Sequence, residues 1–327
     1  MVKKHKKQHF VPVSYLKPWC DPQTPRGQAP YVWVFDRDGS NSRRKAPENI
    51  LHETDMYTIE VPGKKGRNLV LEHGLSELEN RFTKIRNSKL NYGRSLDPEE
   101  HILLCAFMAA AHARTRASRE HQKKMWERPR RMMEDMMERM KTATVEQKKR
   151  MASMAPPRSV DSRGTLDYEQ VKALHENPLQ HLLLPMISAE TPLLSKLDMA
   201  VFETDDQIGF ITSDYPCVWS DPEWHKRPPL YQGPALMYES IEITLPVSPQ
   251  RCVFLNRQGV TGYIAATEEI VDSINRTTRF GADKEFIVRT NRTKPIWFDP
   301  GVEPEDSWAK THAKEIEEAK RARGERA

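Results

Sequence analysis

The sequence predicts an α+β protein: a strand-containing N-terminal segment, central helices, and a C-terminal, mostly antiparallel sheet with one helix. Three observations carry this prediction. In the middle of the chain apolar residues recur at intervals of three and four. After about position 193 they alternate or form short β-branched blocks. The two regimes succeed one another rather than interleave, which separates this pattern from a parallel α/β one. Over 327 residues, 38% hydrophobic and 30% charged, the apolar positions are clustered enough to build a core. We expect one integrated α+β domain over 1–302, helical over about 68–190 and sheet-forming over about 193–298. A charged helical or disordered tail over 303–327 follows it, and no internal repeat is present.

Residues 1–66 read as irregular with short strands. Tyr31-Val32-Trp33-Val34-Phe35 is a β-branched and aromatic run, and Asp36-Arg37-Asp38-Gly39 can turn after it. A second strand is expected near Met56-Tyr57-Thr58-Ile59, and Gly63-Lys64-Lys65-Gly66 closes the segment. Leu71, Leu75, Leu78, Phe82 and Ile85 lie on one face of a helix predicted over 68–91. Asp97 caps the next helix, with Pro98 at its first position and Glu99 and Glu100 in its positive first turn. That helix is expected to run past Trp126. A Met-, Arg- and Glu-rich helix is expected over 129–155, ended by Pro156-Pro157 and a flexible connection. Further helices are predicted at Tyr168–Glu176 and Leu179–Ser188.

The strand region begins near Leu193. Met199–Glu203 and Ile208–Thr212 flank Asp205-Asp206, which predicts a hairpin. Ile241–Leu245 alternates, and Cys252–Leu255 is a compact apolar run. Thr267 is expected to cap a helix to about Phe280, and Glu285–Arg289 to form the last strand. In the tail, Glu317 and Arg321 have the spacing of a solvent-exposed helical pair.

Composition excludes several classes. No apolar run is long enough to cross a bilayer as a helix, and the basic start MVKKHKKQHF lacks the apolar stretch of a signal peptide. A cytoplasmic location without a membrane partner is therefore expected. Cys20, Cys105, Cys217 and Cys252 form no CxxC pair and read as small buried residues. The chain has no P-loop, no dinucleotide-binding glycine fingerprint and no HExxH motif.

Net charge is only +5, but Arg114–Arg150 holds thirteen lysines and arginines against six acids. Such a stripe suits a polyanion, and equally a solvated helix face. Arg119, Lys123, Lys124, Arg128, Arg130 and Arg131 are the candidate nucleic-acid contacts. Met132, Met133, Met136, Met137 and Met140 lie among these cations, either packed on the core or forming an adaptable partner surface.

Four stretches, in this order along the chain, carry a family resemblance. They are Gln8-His9-Phe10-Val11-Pro12 with Tyr15-Leu16; the helix bearing Glu72 and Glu79; Ala113-Arg114-Thr115 with Arg119; and Phe210-Ile211-Thr212-Ser213-Asp214-Tyr215-Pro216. With the later Leu245-Pro246-Val247-Ser248-Pro249 step, the pattern resembles a bacterial family, domain of unknown function 4238. The resemblance implies a bacterial or phage-related source and one integrated domain, and brings no established activity or cofactor. The family usually has Asp-Asn-Pro where this chain has Asp214-Tyr215-Pro216, which counts against a role for a side-chain amide there.

The residues themselves suggest chemistry. His9 can serve as a base or metal ligand, or simply pack and bond a carbonyl. Glu72 and Glu79, seven residues apart, share a helical face and could hold a divalent ion, or form an exposed polar face. Arg114 continues the apolar stripe of Leu103, Phe107 and Ala110, so it needs an acid such as Glu72 or Asp214, or a bound anion. Asp214, at a strand end, could ligate a metal, orient His9, or bond backbone amides in a turn. The leading expectation is a metal-dependent nuclease or phosphodiesterase in a defence or toxin setting. His9, Glu72 and Asp214 would hold Mg²⁺ or Mn²⁺, and Arg114 would grip the phosphate. The alternative is a non-catalytic nucleic-acid- or protein-binding module using the basic Met-rich helix over 114–150. A third reading makes the polar motifs buried structural networks of an assembly component.

Overall fold

The computed structural model describes residues 7–60, 67–154, 165–301, 304, 306–315 and 317. The chain opens with β1 (Lys7–His9), α1 (Val13–Leu16), β2 (Val32–Asp36), β3 (Arg43–Lys45), β4 (His52–Thr54), β5 (Ile59–Glu60) and β6 (Arg67–Asn68). The helical region is α2 (Val70–Ser88), α3 (Pro98–Ala113), α4 (Arg116–Thr142), α5 (Val145–Met154), α6 (Tyr168–Glu176) and α7 (Pro178–Leu194). It is followed by β7 (Asp198–Glu203), β8 (Thr212–Ser213), β9 (Val218–Ser220), β10 (Glu242–Ser248), β11 (Arg251–Asn256) and β12 (Gly262–Ala265). The described elements end with α8 (Glu268–Gly281), β13 (Glu285–Val288) and α9 (Trp308–Thr311). The α+β architecture is as the sequence predicts.

α3 is buried around most of its circumference, because Leu104, Cys105 and the run Phe107–Ala111 leave few polar positions. Its start carries the expected Asp97 capping box. Phe107 stacks on Phe82 of α2 with ring centroids 3.7 Å apart, and Tyr15 of α1 tilts against both. One face of a five-stranded sheet, ordered β12-β7-β11-β10-β9, completes this core through Val201, Val253, Leu255 and Ile243. Its other face, through Ala200, Phe202, Cys252 and Phe254, packs under α8. Both faces of its central strands β7 and β11 are covered, which is why those two read as apolar runs. β12 pairs with β7 in parallel, and the other neighbours are antiparallel.

The second sheet, ordered β3-β2-β13-β8, joins N-terminal strands to C-terminal ones: Phe35 pairs with Phe286 and stacks on it at 5.4 Å.

Four local expectations need correction. The helix from Pro98 does not run past Trp126. It stops at Arg114, and Thr115 caps a new helix by accepting the Ser118 amide. Pro129 does not open a helix but lies inside α4, and the predicted 129–155 helix is divided between α4 and α5. The Asp205-Asp206 hairpin is absent: β7 pairs with β11 and β12, while β8 pairs with β13. The Asp206 carboxylate accepts the amides of Ile208 and Gly209 and turns the chain toward the other sheet. The strand expected at Met56–Ile59 is reduced to Ile59–Glu60, with β4 lying just before it. Gly63–Gly66, Pro156-Pro157 and Arg321 lie outside the described residues.

Candidate functional site

Arg114 ends α3 and is 1% exposed. Its Nη1 donates to Glu79 Oε1 at 2.7 Å, and its guanidinium lies 5.9 Å from the Phe107 ring centroid. The acid that a guanidinium on an apolar stripe requires is therefore the half-buried Glu79, in place of the expected Glu72 or Asp214. Nε and Nη2 of Arg114 have no partner among the described residues. The Tyr57 hydroxyl donates to the Arg114 carbonyl at 3.3 Å. Burial pushes the Tyr57 phenol up, and the charges of Arg114, Glu72, Glu79 and Glu53 all act on it. Glu72 and Glu79 thus share a neighbourhood, as their spacing predicts.

The N-terminal stretch closes over this junction. Gln8 Oε1 accepts the Tyr57 amide at 2.6 Å, and Gln8 Nε2 donates to Thr58 Oγ1 at 3.2 Å. Glu53, paired opposite Gln8 across β1 and β4, takes both Arg116 and Arg119. His9 faces His52 edge-on with centroids 5.2 Å apart. Burial, and then the neighbouring His52, lower the His9 pKa, and its Nε2 is buried without a hydrogen-bond partner among the described residues. His52, Glu53 and Tyr57 belong to this cluster, although the sequence reading passed over them. The clue available was the adjacent pair His52-Glu53 directly after Ile50-Leu51.

Asp214 has a different setting. Its carboxylate accepts the amides of Asp283 and Lys284, each at 2.8 Å, and of Glu285 at 3.2 Å. It ties the end of β8 to the start of β13, so its oxygens bond backbone amides, one of the roles considered for it. Burial pushes its pKa up to about 6, against those three donors. Its stretch meets the N-terminal one through Tyr15, whose hydroxyl lies 3.0 Å from Thr212 Oγ1 and also bonds the Pro246 carbonyl. His9, Glu72 and Arg114 are not among its hydrogen-bond partners. Among the described residues, no group of three or more His, Cys, Asp or Glu side chains is placed to hold a metal ion.

A second polar cluster escaped the sequence reading. His112 stacks on Trp219 at 4.3 Å and 13°, meets Tyr215 edge-on at 5.6 Å, and has Nδ1 3.5 Å from Glu190 Oε2. His112 Nδ1, Glu190 Oε2 and Trp219 Nε1 all lack hydrogen-bond partners among the described residues. A carboxylate beside an imidazole can orient it and support proton transfer. His112 directly precedes the Ala113-Arg114-Thr115 stretch, which was the available signal. The thiols are buried or half-buried, and burial raises the pKa of each, that of Cys105 to about 12.

The predicted nucleic-acid contacts divide into two groups. Arg119, Lys123, Arg130 and Arg131 are ion-paired, to Glu53, Glu120, Glu134 and Glu127 respectively. Lys124 and Arg128 are exposed, as is Arg139, and none of these has an ion pair among the described residues. Met132 and Met136, with Met125 and Met140, step by seven, four and four around one stripe of α4, each 45–57% exposed. Met137 is exposed as well and Met133 is half-buried, so the stripe faces solvent rather than the core.

The family model described as a protein of unknown function (DUF4238) matches residues 7–293. The chain belongs to this family. No curated protein and no solved structure matches it. In this DUF4238 member the matched span runs from β1 to just beyond β13, so it contains both polar clusters and the whole of α4. Among the described residues, no helix is long and apolar enough to cross a membrane.

Proposed function

We propose that the protein is a nucleic-acid-binding module whose contact surface is the exposed face of α4 and α5. The observation that carries this reading is the set of uncommitted cations beside the methionine stripe. Lys124, Arg128 and Arg139 stand exposed on α4, and Lys148, Lys149 and Arg150 stand exposed on α5. Around them lies a local excess of seven positive charges between Arg114 and Arg150. Phosphates reward such a row through counterion release, and flexible thioethers adapt to the sugars and bases beside it. The opposite side of α4 is held to the body by Glu53 and by Tyr168, whose hydroxyl donates to Glu134 at 2.9 Å. This support leaves the cationic face free.

The test is a titration of labelled single- and double-stranded RNA and DNA at 50 and 200 mM salt. For about six phosphate contacts, affinity should fall roughly 2,000-fold between the two conditions. Replacing Lys124, Arg128 and Arg139 together by alanine should lower the salt slope by roughly 2–3. No binding at low salt, or an unchanged slope in the triple variant, overturns the reading. Adding Mg²⁺, Mn²⁺ or EDTA to the same mixtures tests the nuclease expectation: cation-dependent cleavage would add catalysis to binding.

A further inference from the structure

A recess of about 200 Å³ lies between α8 and the outer face of the five-stranded sheet, at the β9–β10 edge. It is smaller than the pockets that enclose drug-sized ligands, and suits a molecule of one ring. Glu242 and Thr244 sit two apart on β10 and so share a face, and Ser220 of β9 pairs opposite Glu242. Phe202 and Phe254 form the apolar wall, and Ser273 and Thr277 of α8 supply hydroxyls from the other side.

Two polar groups here are left without partners. Thr244 is 3% exposed, lines the recess, and its Oγ1 has no hydrogen-bond partner among the described residues. Glu242 is half-buried, and its carboxylate has no hydrogen bond or ion pair among them. Burial, and then the charge of Asp221, raise its pKa. The nearby Arg227 is committed to Asp221, bonding it at 2.5 Å. A half-buried carboxylate without a counter-charge is partly desolvated at a cost, and a ligand cation would relieve it.

We propose that this recess binds a small organic amine, with its ammonium group on Glu242 and Thr244 and its apolar body against Phe202 and Phe254. The carboxylate accepts from the ammonium, the Thr244 hydroxyl accepts a second hydrogen bond, and the aromatic walls exclude water from the pair. The site is independent of α4 and of nucleic-acid binding.

Benzylamine is a suitable probe, because one ring and one ammonium match the wall and the carboxylate. Binding to the full chain is measured by calorimetry at pH 7.5, with benzyl alcohol and benzoate as charge controls. Benzylamine should bind, and both controls should bind at least about tenfold more weakly. Glu242→Gln should weaken benzylamine by a similar factor, and Ser273→Phe, at the exposed mouth, should block it. The absence of benzylamine binding to the unaltered protein overturns the proposal. So does equal binding of benzyl alcohol, a comparison that needs no variant.

Discussion

Asp214 lies at the boundary between a buried charge and a backbone clamp. Its two oxygens receive three amides, so Asp214→Asn, with one carbonyl, leaves donors unmatched. Its folded pKa of about 6 lies above the ordinary 3.8. The folded state therefore holds the proton more tightly than the unfolded one. The resulting stabilisation is complete below about pH 4 and is lost as pH rises through 6. Asparagine does not titrate. The stability of the wild type relative to Asp214→Asn should thus fall by up to about 3 kcal/mol between pH 4 and pH 7. Denaturant melts of both proteins at the two pH values check this. A difference that does not change with pH would show that the amides hold the charge without cost.

Gly209 shows how one residue redirects an element. Its φ is +69°, and a Cβ there would stand 2.0 Å from the Pro249 carbonyl oxygen. The close approach lets the Phe210 amide donate to that same carbonyl at 2.8 Å, and the chain then leaves β7 for the other sheet. Gly209→Ala should cost ~3 kcal/mol or more, because strain and clash act together. Gly259→Ala is the comparison, with φ +76° but open space around its Cβ, and it should cost about 1 kcal/mol. Melting temperatures of the two variants decide it, and equal shifts would leave backbone strain alone as the cause. The same step explains the missing hairpin. Two apolar runs around Asp205-Asp206 look like partners, but Asp206 and Gly209 route them into different sheets.

The two sheets tie the ends of the chain together. β2 supplies the neighbour of β13, and Val32 and Val34 lie in the same buried cluster as Val201, Val253 and Leu255. Trp19 reaches from the N-terminal segment to the Phe210 carbonyl at 2.8 Å. A fragment of residues 193–301 would expose the β2-facing edge of β13 and the helix-facing side of the larger sheet. It should show no cooperative thermal transition by circular dichroism, whereas residues 1–301 should. A cooperative melt in the shorter fragment would make the strand region an independent unit.

Much of this was legible in the sequence, because periodicity and capping are local properties. The α2 stripe, the Asp97 and Thr267 caps, and the alternation of β10 were read correctly, since each depends on side chains within a few residues. The burial of Arg114 followed from its place on an apolar stripe. Its partner did not, because Glu72 and Glu79 have equivalent spacing and only helix packing brings Glu79 to 2.7 Å. The identity of the uncommitted cations was likewise hidden: Arg119 and Lys124 look alike in sequence, and Glu53, far off along the chain, takes one of them. The sequence by itself determined the succession of helical and strand regions, the buried stripe and the location of the basic arm. Only the tertiary structure decided which charges neutralise one another, because that depends on approach distances between segments remote along the chain.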